Sequence, residues 1–323
     1  MARSALRVES ASMATPLPPT PTLPVLETRS RVLRAVRDFF YGEGFVEVET
    51  PIRVQAPALE THIDAPPSGG AWLRTSPELH MKRLLAAGCP RIFQMGACFR
   101  ERECGNRHNP EFTLLEWYRA QADYIDILRD TERLVQSVFA ALGHAAAFPF
   151  QGQSISLAAP WPRLSVRDAF RAWAGWDPVT DWDADRFDED LLTRVEPALP
   201  RDRPCVLTDY PAPAAALARL KPGDARVAER WEVYIGGYEI ANAYSELCDA
   251  AVQRARFEAA AQTRRQLGRA AYPLDEAFLS ALGQGMPPCG GIALGVDRLV
   301  MLACGKTDIA EVRPFCQRPG GLW

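Results

Sequence analysis

Two arginines in acidic and glycine-rich surroundings stand out among the 323 residues. Arg100 lies in Phe99-Arg-Glu-Arg-Glu103, which leads into His108-Asn-Pro-Glu-Phe112-Thr-Leu-Leu-Glu-Trp-Tyr118. Arg298 lies in Gly290-Gly-Ile-Ala-Leu-Gly-Val-Asp-Arg298-Leu, a strand-like run that opens a helix. A planar guanidinium grips phosphate or carboxylate through paired donors, and a glycine-rich turn before a helix can cradle phosphate. Alone, each pattern says little. Other chemistries lack their residues. The eight cysteines form no C-x-x-C pair and the four histidines are too sparse to complete a zinc site, so reduced, mostly buried thiols are expected. A net charge of −3 removes any global basic field that would draw the chain to nucleic acid.

The elements that must position these residues follow from periodicity. Apolar residues at Val32, Leu33, Val36, Phe39 and Phe40 predict a helix over 28–41, ended by Gly42 and Gly44. The run 45–50 alternates like a half-buried strand and stops at Pro51. Ser76 is expected to cap a helix with Pro77 at its first position and Glu78 in its first turn. Strands are expected over 91–100, 112–119 and 290–294, with a strand pair over 230–244 around Gly236-Gly237. Further helices are expected over 131–142, 250–268 (charged on its outer face) and 296–304. Residues 145–225 are richer in Pro, Trp and Asp and read as a variable, peripheral region holding one buried strand at 205–208. Hairpin-linked strands without regular helix alternation give an α+β domain on a mainly antiparallel sheet. Residues 1–24, rich in Pro, Thr, Ala and Ser, read as a disordered tail without the segments of a signal peptide. No apolar run approaches the roughly 20 residues a membrane span needs, so a cytoplasmic protein is expected.

Taken together with Gly44-Phe-Val-Glu-Val-Glu-Thr-Pro51, the two arginine segments resemble, in order, the three signature motifs of class II aminoacyl-tRNA synthetases. The likeness spans 28–315 and is closest to the lysyl branch, through Thr75-Ser-Pro-Glu-Leu-His-Met-Lys-Arg-Leu84 and the stretch holding Glu239, Asn242 and Glu246. The short length and the HNPEFTLLEWYR wording are similar to the elongation factor P β-lysine ligase family, stand-alone lysyl-synthetase paralogues. The resemblance implies a class II catalytic domain over 25–323, an antiparallel sheet flanked by helices. It also implies a reaction: attack of an amino-acid carboxylate on the α-phosphorus of ATP.

Roles follow from the same resemblance. Arg100 would bridge α-phosphate and carboxylate, and Arg298 would hold the γ-phosphate end, with Asp297 orienting its guanidinium. Phe112 would stack on adenine, with Glu101, Arg102, Glu103, His108, Asn109, Ile240 and Gly295 around the nucleotide. Glu232 and Glu239 would bind Mg²⁺. Ser76, Pro77, Glu78, Glu116, Tyr118, Asn242, Glu246 and Ala293 would form the amino-acid pocket, with Glu246, Glu116 and Tyr118 on the distal ammonium. Desolvating an unpaired cation costs several kcal/mol, so acidic acceptors are what a lysine-like substrate requires.

The departures from the lysyl synthetases also carry meaning. Ala293 replaces a glycine of the third motif, and the extra methyl is expected to favour β-lysine over α-lysine by about 10- to 200-fold. Arg102 stands where the second motif usually has glutamate, so either Glu103 takes over through a shifted loop or that contact is lost. Only the tail and one helix precede the first motif, so no anticodon-binding β-barrel is expected and elongation factor P, rather than tRNA, is the expected acceptor. A homodimer through the first motif is implied. Two other readings remain: a truncated lysyl-tRNA synthetase, and a non-catalytic amino-acid-binding regulator, which the presence of both arginines argues against.

Overall fold

A computed structural model describes residues 20–317. Most of the expected tail, residues 1–19, lies outside the described residues, and the first helix, α1 (Leu23–Gly42), begins earlier than its periodicity suggests, with Pro24 in its first turn. Three short strands, β2 (Arg53–Val54), β3 (Pro67–Ser68) and β4 (Ala71–Leu73), make a small sheet of order β2-β4-β3. The expected strand 45–50 shrinks to β1 (Val46–Glu47), an edge strand beside β5 (Arg91–Phe99).

The main sheet has nine strands. β1 and β5 are followed by β6 (Glu111–Ala120), β14 (Cys289–Gly295), β13 (Tyr238–Ser245), β12 (Asp224–Ile235), β10 (Cys205–Pro211) and β9 (Arg163–Ser165), with β11 (Leu220–Lys221) paired to β12. All pairings are antiparallel except β1 with β5 and β9 with β10 at the two ends. The structure is thus the α+β, class II-like sheet that the motifs imply. The stretch 145–225 forms one end of the sheet. That stretch supplies β9, β10 and β11, a β7 (Ala147–Phe150) and β8 (Gln153–Ser156) hairpin, and the helices α4 (Val166–Trp173), α5 (Ala184–Asp190) and α6 (Glu196–Ala198). Within it the expected strand 205–208 is buried on both faces, while β9 and β11 are short and partly exposed.

Alternation along the strands divides the core. Trp117 faces α1, α3 (Tyr124–Ala141) and α9 (Val296–Ala303), where Phe40 stacks on Phe93 with centroids 4.6 Å apart. Tyr118, one residue on, faces the other way, toward α2 (Glu78–Ala86), α7 (Ala250–Gln266) and α8 (Glu276–Gly285). α3 starts at Tyr124 rather than near 131 because Asp123 and Asp126 form a reciprocal capping box. α7 is not charged only on an outer face: Arg264 is fully buried.

Candidate active site

Because side chains on a strand alternate and neighbouring strands are in register, same-face residues form rows across the sheet. One row runs Glu116, Ala293, Asn242, Glu232 across β6, β14, β13 and β12. The next runs Tyr118, Gly291, Tyr244, Arg230. These rows floor a cavity of about 670 Å³, the size of small-molecule sites. Arg100 and Arg298 both line it, from the end of β5 and the first turn of α9.

At one end lie the acids. Glu116, 1% exposed, accepts hydrogen bonds from Ser76 Oγ at 2.7 Å and from Tyr118 OH at 2.9 Å. Burial pushes its carboxyl up to about 8, reinforced by the charge of Glu78 and opposed by those two hydrogen bonds and Lys82. The Lys82 ammonium, wholly buried, lies between Glu78 and Glu246. Burial works against its charge, yet the two carboxylates hold it protonated, with its pKa above the usual lysine value. Burial likewise raises Glu246, against the pull of Lys82. Glu246 Oε1 accepts no hydrogen bond and neither does Asn242 Oδ1, so two buried acceptors face the cavity unused. Glu78 and Glu246 share one ammonium, and Glu116 beside them is held by Ser76 and Tyr118 instead. A ligand carrying further positive charge fits that balance.

The backbone permits this crowding only at Gly291, where a Cβ would stand 2.2 Å from Glu246 Oε1 and 2.3 Å from the Tyr118 ring. The helix beside it begins at Glu78, with Pro77 rather than Ser76 in the cap position. Ser76 still accepts from the Glu78 N–H at 3.0 Å while donating to Glu116.

The other end is cationic. Arg298 donates to the Glu239 backbone oxygen at 2.8 Å and to its carboxylate at 3.3 Å. Its other terminal nitrogen lies 2.6 Å from His108 Nε2. A guanidinium only donates, so that ring nitrogen accepts, and burial together with the Arg298 charge lowers the His108 pKa and keeps the ring neutral. Arg100 lies over the Phe112 ring, 5.1 Å from its centroid, and its buried Nε has no partner. Glu103 pairs with it at 3.6 Å. Arg102 also lines the cavity, held at a left-handed φ of 69°.

Several expected roles change. Asp297 does not orient Arg298. It binds Arg29 at 2.7 Å and the Thr113 N–H at 2.7 Å, tying α1 to β6. Asn109 lines the cavity but is buried with its amide engaged by Glu111 O and Gln317 N. Glu101 and Pro77 lie off the cavity wall; Glu101 is exposed and its N–H donates to Asp64 O. Ile240 and Gly295 line the cavity as expected.

Glu239 lines the cavity, its carboxyl raised by burial and then by the charge of Glu232. Glu232 accepts from Tyr210 and Tyr234 at 2.7 and 2.8 Å and from Arg230 at 2.6 Å. Among the described residues no group of three or more potential ligands makes a protein-only metal cage. Two neighbouring hard carboxylates fit Mg²⁺ that takes its remaining ligands from phosphate and water.

Residues the sequence did not mark also line the cavity: Glu60, Arg230 and Tyr244. Lys82, the buried partner of Glu78 and Glu246, was quoted in its motif without a role, although its place four residues after Glu78 on a helix was a usable signal.

Comparison with known proteins agrees with this geometry. The family model described as tRNA synthetases class II (D, K and N) matches residues 20–319. A protein of Klebsiella pneumoniae subsp. pneumoniae named elongation factor P–(R)-beta-lysine ligase is 41% identical over 92% of this chain and 96% of its own length. One of the same name from Hamiltonella defensa is 39% identical over 91% and 96%. A lysine–tRNA ligase of Dehalococcoides mccartyi is 38% identical over 89% of this chain, which spans only 63% of that relative. The chain therefore belongs to the class II tRNA synthetase family, in its D, K and N branch, and is a ligase of that family.

Proposed function

We propose that this ligase activates (R)-β-lysine with ATP and transfers it to the ε-amino group of a lysine on elongation factor P. The observation that carries this reading is one cavity with two guanidiniums at one end and, at the other, three acidic side chains of which two pair with a single ammonium. The acid end selects a dicationic amino acid, because its buried acceptors stay unpaired without one. Arg100 bridges the substrate carboxylate and the α-phosphate, and its partnerless Nε supports that role. Arg298, backed by neutral His108 and by Glu239, holds the terminal phosphates. Phe112 packs against adenine. Glu232 and Glu239 would hold Mg²⁺, which offsets triphosphate charge when bound. In the first step the carboxylate attacks the α-phosphorus and pyrophosphate leaves. In the second an amine attacks the adenylate carbonyl and AMP leaves, with no covalent enzyme intermediate. Holding both reactants in attack geometry is the main catalytic device.

Ala293 lies between Glu116 and Asn242 in the same row, where its methyl narrows the space around the substrate's amino group. The names of the β-lysine ligases support the amino acid and acceptor; the lysine–tRNA ligase relative supports a second reading, aminoacylation of tRNA. Pyrophosphate exchange with a panel of α- and β-amino acids, followed by mass spectrometry of the acceptor, separates them. Exchange is expected with (R)-β-lysine, and elongation factor P gains its mass. Efficient charging of tRNA with α-lysine, with the factor untouched, would establish the second reading.

A further inference from the structure

The segment between β2 and β3 carries Glu60 to the cavity, and an unusual amount of structure holds it there. Arg264, fully buried on α7, donates to the backbone oxygens of Glu60 at 2.7 Å and Ile63 at 2.8 Å and to the Asp64 carboxylate at 2.7 Å. Its Nε donates to Ala270 O at 2.7 Å, and its guanidinium lies 4.5 Å from the centroid of the Tyr272 ring. Tyr272 OH in turn accepts from the Ala65 N–H at 2.7 Å, and Arg269 donates to His62 O at 3.0 Å. Asp64 O takes the N–H of Glu101, the residue after Arg100, at 2.8 Å. A buried guanidinium is costly unless its donors are met, and here both terminal nitrogens are met by the segment that carries Glu60, while Nε is met by Ala270 O. The clamp therefore fixes Glu60 relative to Arg100.

Yet the Glu60 carboxylate accepts no hydrogen bond from any described residue. It is half-buried, unlike Glu116 and Glu246 at 1% and 2% exposure, so it stands on the open side of the cavity. The charges facing it are Arg100, Glu78, Arg230 and Glu103. It thus shares the cavity with Arg100 of the cationic end and Glu78 of the acid end.

We infer that Glu60 receives the ammonium of the acceptor lysine and takes its proton in the transfer step. This rests on the ligase reading above. The ammonium gives one proton to the Glu60 carboxylate. The freed nitrogen lone pair forms the C–N bond to the adenylate carbonyl, and the C–O bond to phosphate breaks with its electron pair leaving on AMP. The nitrogen's surplus proton passes to solvent. Burial raises the carboxyl of Glu60, against the pull of Arg100, which makes it a better base than a solvated glutamate.

Glu60→Gln tests this in two assays on the full chain. Exchange driven by (R)-β-lysine is expected to stay within about threefold of the intact enzyme. Single-turnover transfer to elongation factor P is expected to fall about 100-fold or more. Hydroxylamine, unprotonated at neutral pH, should still capture the adenylate as hydroxamate at the normal rate. Glu60→Asp, which keeps the charge, should recover part of the transfer. Unchanged transfer in Glu60→Gln overturns the inference. So does loss of exchange in both variants, or a raised KM for the amino acid, since Glu60 would then serve activation. An intact enzyme without exchange defeats the ligase reading instead, and one with brisk exchange but no transfer defeats the acceptor.

Discussion

A single methyl at position 293 is the sharpest residue-level claim. Ala293→Gly is expected to raise the use of α-lysine relative to β-lysine, by up to the 10- to 200-fold that one methyl-sized space is worth. Exchange rates with the two substrates measure it, and an unchanged ratio removes the steric argument. Glu116 gives a second test. Its carboxyl, raised to about 8, keeps its proton in the empty fold but not in the unfolded chain, where glutamate titrates near 4.3. Its stabilising share is full below that value and is lost as pH rises through about 8. The stability difference between the intact protein and Glu116→Gln should therefore shrink from about pH 5 to about pH 8 and level off above. Denaturant midpoints across that range check it. Glu116, Tyr118 and Ala293 were legible in the sequence because each sits in a contiguous motif. Glu60 and Arg230 were not, since nothing within a few residues of either marks the cavity that they reach.

At the scale of elements, the site depends on β14 passing close under two side chains. Gly291→Ala places a carbon where Glu246 and Tyr118 already stand, and β14 cannot retreat because β6 and β13 hold it on both edges. A stability loss of about 1–3 kcal/mol is expected, together with a raised KM for the amino acid. Thermal melts and exchange kinetics read the two effects. Strand and helix placement was largely legible, as the Gly236-Gly237 hairpin and the strand-to-helix junction at Gly295 show. What periodicity misjudged was extent: β1 is two residues of edge, and α3 gains a turn and more from an acidic cap. In the β9–β11 region only β10 was legible, because β9 and β11 are two or three residues long, too short to show a period.

For the molecule as a whole, Tyr41, Val46 and Ile52 are 55%, 60% and 46% exposed around the first motif. Exposed apolar residues grouped this way mark an association surface, and a homodimer through it is our proposal. Val46→Glu is expected to shift sedimentation toward monomer and to lower exchange; a stable, active monomer of the intact chain would contradict it.

β14 lies mid-sheet yet is among the last segments in the chain. A nascent polypeptide emerging from the ribosome must therefore hold β6 and β13 apart, two bare strand borders awaiting an insert, until β14 emerges. Such late, non-local closure is slow and leaves sticky edges in the meantime. Chains cut short before residue 289 would lose more than Arg298: they would lack the staple between the two halves of the sheet, and aggregation is their expected fate.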